Sequence, residues 1–268
     1  MFWVGGNYYL VFRSIQSIIS FLTIIPVRKK SLNSSNGNID DISYIAKNMY
    51  LFPVVGVIIG IIIGGLAYEI SFYIQPLLMG LLITTALIII TGANHIDALA
   101  DFADGLMTKG GKEFKLRAMR DPAVGSAGTV SIVIYLAGMI IALSSFQTGT
   151  KLLIGIIVSE VVAKYIMVIH AYRGFSAWEG FSSPFTAAMK DKRKVLASTA
   201  ITLPTIWFVS NSYACLVSLG LSLAIAGIIQ YISNKSFGGI SGDVIGASNE
   251  ITRISCLLIF SSMSSSYK

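Results

Sequence analysis

The chain has 268 residues, of which 54% are hydrophobic and only 12% are charged, and its mean hydropathy is +0.74. Because a soluble domain has about twice this charged fraction, the composition excludes an ordinary soluble protein, and the lack of strict apolar–polar alternation excludes a membrane β-barrel. The net charge of +7 is interpreted as a topology signal with contact to anionic lipid, so nucleic-acid binding is not predicted.

The N-terminal segment is apolar but interrupted by polar residues. Tyr8–Val27 contains Arg13, Gln16 and several serines, which predicts an interfacial or re-entrant helix ending at Pro26. Residues 28–48 then form a polar linker to a helical bundle over residues 49–268. We expect one all-α polytopic membrane domain over residues 1–268, with about seven transmembrane helices plus the N-terminal interfacial helix.

The transmembrane helices are predicted from apolar runs that reach or approach about 20 residues. The last predicted span is short and rich in serine. In chain order the predicted spans are Met49–Ile70, Ile74–Asn94, Val124–Phe146, Lys151–Tyr172, Val195–Asn211, Tyr213–Ser233 and Ile251–Ser266.

Lysine and arginine are concentrated in one set of connections between the spans. Residues 28–47, 97–123, 173–194 and 234–253 together hold 16 of the 20 basic residues, whereas residues 71–73, 147–150 and the turn near Ser212 hold none. By the positive-inside rule the basic loops face the cytoplasm, which predicts a multi-pass protein of the cell membrane.

An acidic stripe follows the second predicted span. The segment T-G-A-N-H-I-D-A-L-A-D-F-A-D-G, residues 91–105, places Asn94, Asp97, Asp101 and Asp104 at spacings of three, four and three, along a single helical face. Stacked carboxylates repel one another, and desolvation near a bilayer adds to the cost. A divalent cation that prefers oxygen ligands, such as magnesium, manganese or calcium, would offset this repulsion. A solvated acidic helix end is the plain alternative.

Two further segments on the same predicted side add charge and glycine. Residues 119–128 read M-R-D-P-A-V-G-S-A-G and contain Arg120 and Asp121, with Arg117 just before them. Residues 238–250 read G-G-I-S-G-D-V-I-G-A-S-N-E, and the glycines around Asp243 predict irregular backbone lining a polar cavity. With the acidic stripe, these residues indicate magnesium-assisted chemistry on a phosphate ester or pyrophosphate. His95, beside the stripe, is a candidate general base or phosphate contact.

Two features inside the spans concern packing. Glu160 and Lys164 lie four residues apart, so they are predicted to pair inside the bundle, with contact of Lys164 to a substrate phosphate as the alternative. Gly56, Gly60 and Gly64 predict close contact with another helix.

These motifs, in this order, resemble the cobalamin synthase family, also called adenosylcobinamide-GDP ribazoletransferases. The family typically shows H-L-D-G-L-A-D-T-x-D-G, M-R-D-S-R-x-G-x-x-G and G-G-x-x-G-D-x-x-G-A-x-x-E, and F-L-T-I-I-P-V at Phe21–Val27 is similar to its F-L-T-R-I-P-V. The resemblance runs over nearly the whole chain. This sequence departs from it at Ile24, Asn94, Pro122–Ala123 and Lys164, but every acidic motif position is kept.

The resemblance implies that α-ribazole, or its 5′-phosphate, is joined to adenosylcobinamide-GDP with release of GMP, that one or two Mg²⁺ ions are required, and that the site faces the cytoplasm. A homo-oligomer is compatible with the sequence. The implied metal ligands are Asp97, Asp101, Asp104, Asp121 and Asp243, the last two being alternatively the base for the ribose hydroxyl, and the catalytic set is Asp97, Asp101, Asp104, His95 and Asp243. The implied substrate-binding residues are Asn94, Arg117, Arg120, Arg173, Lys164, Gly239, Gly242 and Glu250.

Two other functions fit parts of the pattern. A CDP-alcohol phosphotransferase also sets aspartates on membrane helices around metal, but its D-G-x-x-A-R motif is not reproduced, because Leu106-Met107-Thr108-Lys109 follow Asp104-Gly105. A cation transporter typically places acids near the bilayer midplane and shows two related halves. Here the acids gather at one predicted face and no internal repeat is found.

Overall fold

A computed structural model describes residues 5–27 and 37–265, and their regular secondary structure is helical. The only strand-like feature among these residues is an isolated parallel bridge between Ser176 and Ile240. The helices are α1 (Gly5–Leu22), α2 (Gly37–Lys47), a short 3₁₀ turn (Met49–Leu51), α3 (Phe52–Ile70), α4 (Pro76–Thr91), α5 (Asn94–Met107), α6 (Lys112–Met119), α7 (Ser126–Ser144), α8 (Gly149–Arg173), α9 (Ser183–Ala188), α10 (Lys192–Ser210), α11 (Tyr213–Phe237) and α12 (Gly242–Ser265).

The prediction of an all-α polytopic membrane protein is confirmed. Five described helical segments are long and apolar enough to cross a membrane, and the bent pair α4–α5 would raise the number to six. Helix α10, predicted as a span, is helical but is not among them, since basic residues of its first turn and several hydroxyl side chains lower its hydropathy. The five segments are Met49–Ile70, Ser126–Ser144, Gly149–Arg173, Tyr213–Phe237 and Gly242–Met263.

The predicted second span is broken. Helix α4 ends at Thr91, Gly92 takes a positive φ of 71°, and α5 starts at a bend of 94° from α4. With 16 residues, α4 is about 24 Å long at 1.5 Å per residue. The predicted straight helix to Asn94 was therefore wrong, because Gly92 adopts a conformation that redirects the chain.

Helix α8 lies at the centre of the bundle. It is buried along nearly its whole length from Gly155 to Ala171, and α3 packs directly against it. A β-carbon added to Gly56 would lie 2.7 Å from the Glu160 carbonyl oxygen, and one added to Gly60 would lie 2.7 Å from the Ile157 Cα. The predicted close helix contact of the glycine stripe is therefore confirmed, and these small residues permit it.

The predicted linker and the last predicted loop both contain helix. Residues 28–36 lie outside the described part of the chain, but Gly37–Lys47 forms α2. Near the other end, α11 continues to Phe237 and α12 already begins at Gly242. The loop predicted over 234–253 is thus reduced to residues 238–241, and the last span is longer than predicted.

The connections divide between the two ends of the bundle. Residues 71–75, 145–148 and 211–212 are short and contain no lysine or arginine. Following the helices along the chain, residues 92–125, 174–191 and 238–241 share the opposite end. Contacts between these segments agree, since the Lys112 ammonium lies against Gly238 and the Arg120 guanidinium lies 4.0 Å from the Trp178 ring centre.

Candidate functional site

The acidic stripe is helical, as predicted. Asn94 is the first residue of α5, and Asp97, Asp101 and Asp104 follow along it. Asn94 and Asp97 are exposed, whereas Asp101 and Asp104 are half-buried. The positive φ at Gly92 and the bend after it direct this helix away from α4. The stripe therefore starts at the basic end of the bundle.

Asp104 caps the start of α7. Its carboxylate oxygens accept hydrogen bonds from the backbone N–H of Gly125 at 2.7 Å and of Gly128 at 2.9 Å. These N–H groups belong to a helix N-terminus, which attracts negative charge. A β-carbon on either glycine would collide with the carboxylate. The two glycines of the segment G-S-A-G therefore leave the space that the Asp104 side chain occupies.

Gly128→Ala is expected to destabilise the fold by about 1–3 kcal/mol, the usual cost of forcing an extra methyl group into a packed site. The measurement is the thermal unfolding midpoint of the purified protein in detergent. Gly220→Ala is the matched control, since no heavy atom lies within 4 Å of its added β-carbon. Equal losses in the two variants would contradict the cap.

Asp101 interacts electrostatically with three other carboxylates, which lie on two helices. Desolvation, together with the negative charges of Asp97, Asp243 and Asp104, raises the pKa of Asp101 to about 6. Asp243, the second residue of α12, also interacts electrostatically with Asp97 and Arg120. Among the described residues, no group of three or more His, Cys, Asp or Glu side chains is already arranged to hold a metal ion. Asp97, Asp101 and Asp243 therefore interact electrostatically, and their convergence on a metal ion stays a prediction.

A cavity of about 230 Å³ adjoins this cluster. Asn94, His95 and Asp243 line it, together with Gly242 and Gly246. The predicted cavity around Asp243 thus exists, but the irregular backbone predicted over residues 238–250 is limited to residues 238–241, because residues from Gly242 onward are helical. Gly246 permits the close approach of α12 to α5, since its β-carbon would lie 2.6 Å from that of Ala98.

Two of the three predicted arginines, Arg117 and Arg120, line a second, open cavity of about 520 Å³ together with Asp121. Arg120 also interacts electrostatically with Asp243, which lines the first cavity. The predicted residues Arg173 and Gly239 line neither cavity. Arg173 is exposed at the end of α8, and a β-carbon on Gly239 would lie 2.5 Å from the Phe175 carbonyl oxygen.

The Glu160–Lys164 pair is confirmed, with the Lys164 Nζ donating to the Glu160 carboxylate at 3.0 Å and both side chains fully buried. Arg253 of α12 donates through Nε to Glu160 at 2.5 Å and also pairs with Glu250. Tyr135 of α7 donates to Glu250. Two acids and two bases thus form a neutral network between helices, as buried charges require.

Lys164 and Glu250, predicted as substrate-binding residues, therefore lie inside the bundle and line neither cavity. Arg253 was predicted to lie in a basic loop, and this was wrong, because it is 2% exposed within α12. The sequence contained a signal that we missed. Glu250 and Arg253 are three residues apart, which is the spacing of an ion pair on a helix.

The buried network determines the orientation of His95. The Lys164 ammonium, which can only donate, lies 3.0 Å from the Asn249 Oδ1. The Asn249 Nδ2 therefore donates, to Glu250 at 2.9 Å and to the His95 Nδ1 at 3.3 Å. We assign the ring proton of neutral His95 to Nε2 on this basis. Burial, followed by the positive charge of Lys164, lowers the pKa of His95 to about 4.

Residues 14–261 match the protein family described as Cobalamin-5-phosphate synthase. The chain is similar to the protein named adenosylcobinamide-GDP ribazoletransferase from Methanocella arvoryzae, with 33% identity over 95% of this chain and 96% of the relative. A protein of the same name from Methanococcoides burtonii shares 27% identity over 92% of this chain and 90% of its own length. Another from Archaeoglobus fulgidus shares 28% identity over 90% of this chain and 93% of its own length. No solved structure matches the chain. The chain therefore belongs to the cobalamin-5-phosphate synthase family and is a transferase of cobalamin biosynthesis.

Proposed function

We propose that this membrane protein joins α-ribazole, or its 5′-phosphate, to adenosylcobinamide-GDP with release of GMP, using Mg²⁺ at the cytoplasmic face. The observation that carries the proposal is the gathering of Asp97, Asp101 and Asp243, from two helices, beside a cavity at the basic end of the bundle. The similar proteins are named adenosylcobinamide-GDP ribazoletransferases, and this name supports the proposed donor and the transfer of ribazole.

The donor set suits magnesium. Mg²⁺ usually keeps several waters and is held by one or two carboxylates together with substrate phosphates, so it does not need a complete protein cage. Asp97 is exposed and Asp101 is half-buried, and both would be ligands, with Asp243 as a further ligand or the base. Each carboxylate oxygen of Asp104 accepts one backbone N–H bond from the start of α7, which fixes this side chain and leaves one lone pair on each oxygen. A bound ion would offset the negative charge that develops on the phosphate oxygens.

Protein groups supply the remaining functions. A ribose hydroxyl of α-ribazole loses its proton to a carboxylate, and Asp243 is the carboxylate that lines the cavity. The hydroxyl oxygen then forms a bond to the phosphorus next to cobinamide, the P–O bond to the second phosphate breaks, and GMP leaves with the electron pair. His95 would donate from Nε2 to a phosphate oxygen, and Arg117 and Arg120 would neutralise the pyrophosphate in the open cavity.

The orientation follows from the basic residues that share one end of the bundle. By the positive-inside rule this end faces the cytoplasm, where a large soluble substrate and Mg²⁺ can both reach the carboxylates beside the cavity. The short connections at the other end contain no lysine or arginine.

We expect the purified protein with Mg²⁺ to release GMP from adenosylcobinamide-GDP only when α-ribazole or its phosphate is present. Chromatography of the reaction mixture would measure GMP together with the joined corrinoid product, and omission of Mg²⁺ is the control. Absence of GMP, combined with cation flux in protein-containing vesicles, would instead support the transporter hypothesis.

A further inference from the structure

The cavity beside the carboxylates has an aromatic lining that the sequence motifs do not explain. Phe21 of α1, Phe52 of α3, Phe181 of the loop before α9 and Phe185 of α9 all line it. The centre of the Phe21 ring lies 5.9 Å from that of Phe181 in a stacked arrangement and 5.7 Å from that of Phe185. Rings from four segments of the chain therefore form one aromatic cluster.

The same cavity also has polar lining from other elements. Asn94 and His95 of α5 and Asp243 of α12 contribute to it. In the proposed reaction, His95 binds a phosphate oxygen and Asp243 accepts the proton of the ribose hydroxyl. A molecule bound here would meet aromatic rings with one part and proton-accepting or hydrogen-bonding groups with another. This is the combination that a heteroaromatic base attached to a sugar requires.

The volume restricts what can enter. A cavity of about 230 Å³ is smaller than the roughly 300–1,000 Å³ of pockets for drug-sized ligands. Its size therefore matches one bicyclic ring system better than a corrinoid. Guanine would bring several polar edge groups, which have no partners among phenylalanine rings, and burying them without partners is unfavourable. A benzimidazole has no exocyclic hydrogen-bonding group.

We propose that the aromatic cluster of Phe21, Phe52, Phe181 and Phe185 is the binding subsite for the planar benzimidazole base of the acceptor nucleoside. The ribose would then lie toward Asn94, His95 and Asp243, within reach of the group that accepts its proton. This inference rests on the proposed function, because it assigns the base of α-ribazole to a particular place.

Phe181→Ala tests the subsite, and Phe175→Ala is the matched control on the same loop. Phe181 is 50% exposed and Phe175 is 70% exposed, so neither truncation empties the core, and Phe175 does not line the cavity. Since a single aromatic stacking partner contributes strongly to the binding of a base, we expect Phe181→Ala to raise the KM for α-ribazole about tenfold. The kcat and the KM for adenosylcobinamide-GDP should stay unchanged, and Phe175→Ala should behave as the unsubstituted protein.

Calorimetric titration of the full chain in nanodiscs with 5,6-dimethylbenzimidazole alone gives a readout that does not depend on turnover. We expect Phe181→Ala to weaken this binding about tenfold and Phe175→Ala to leave it unchanged. Equal behaviour of the two variants would overturn the subsite. A raised KM for adenosylcobinamide-GDP instead would also overturn it, in favour of guanine. An inactive unsubstituted protein that still binds the base through Phe181 would refute the proposed function separately.

Discussion

Asp97→Asn and Asp101→Asn are each expected to lower kcat by at least about a hundredfold, because a metal ion that stabilises phosphoryl-transfer charge contributes several kcal/mol. The substitution keeps the size of the side chain and removes only its charge. Asp97 is exposed and Asp101 is half-buried, so both variants should insert and fold normally. GMP release at saturating substrate and Mg²⁺ is the measurement.

Asp191→Asn is the matched control for these variants. Asp191 caps α10 by accepting from the Arg193 N–H at 3.0 Å, and asparagine caps helices as well as aspartate does. The GMP-releasing activity of the Asp191→Asn variant should therefore equal that of the unsubstituted protein. Full activity in Asp97→Asn would remove Asp97 from the proposed ligand set, and the same holds for Asp101→Asn.

Arg253→Met is expected to destabilise the protein by about 3–5 kcal/mol, the usual result of removing one partner from a buried charge network. Glu160 would keep Lys164, but Glu250 would lose its charged partner while remaining fully buried. The penalty comes from the unpaired carboxylate rather than from the strength of the original pair. The thermal unfolding midpoint in detergent is the measurement.

Arg193→Met provides the contrast, because the Arg193–Asp191 ion pair lies at the surface, where the Arg193 side chain is 89% exposed. Exposed pairs contribute little to stability, so this variant should unfold at the same temperature as the unsubstituted protein. An Arg253→Met variant with an unchanged midpoint would show that the network does not stabilise the bundle.

The helical spacing of residues in the sequence predicted much of the site. The spacing of Asn94, Asp97, Asp101 and Asp104 predicted one helical stripe, and α5 covers all four residues. The glycine stripe of α3 predicted a close helix contact, which α8 provides. Both predictions depend only on the helical repeat, which neighbouring residues determine.

Other parts of the site depend on residues far apart in sequence. Nothing near Asp104 indicates that its oxygens are occupied by N–H groups 21 and 24 residues later. Likewise, the sequence around Arg253 predicts a basic loop, whereas the structure shows that α12 already begins at Gly242. The aromatic lining of the cavity also went unnoticed, because isolated phenylalanines in an apolar sequence carry no periodic signal.

The sequence by itself determined the membrane class, the helical nature of the spans, the acidic helix and the family to which the chain is similar. These properties follow from composition, short-range spacing and motif order. Only the tertiary structure decided that Asp243 joins the α5 carboxylates, that four charged residues balance inside the bundle, and that aromatic rings line the adjoining cavity. Those features arise where helices from distant parts of the chain pack together, so desolvation and long-range contacts determine them.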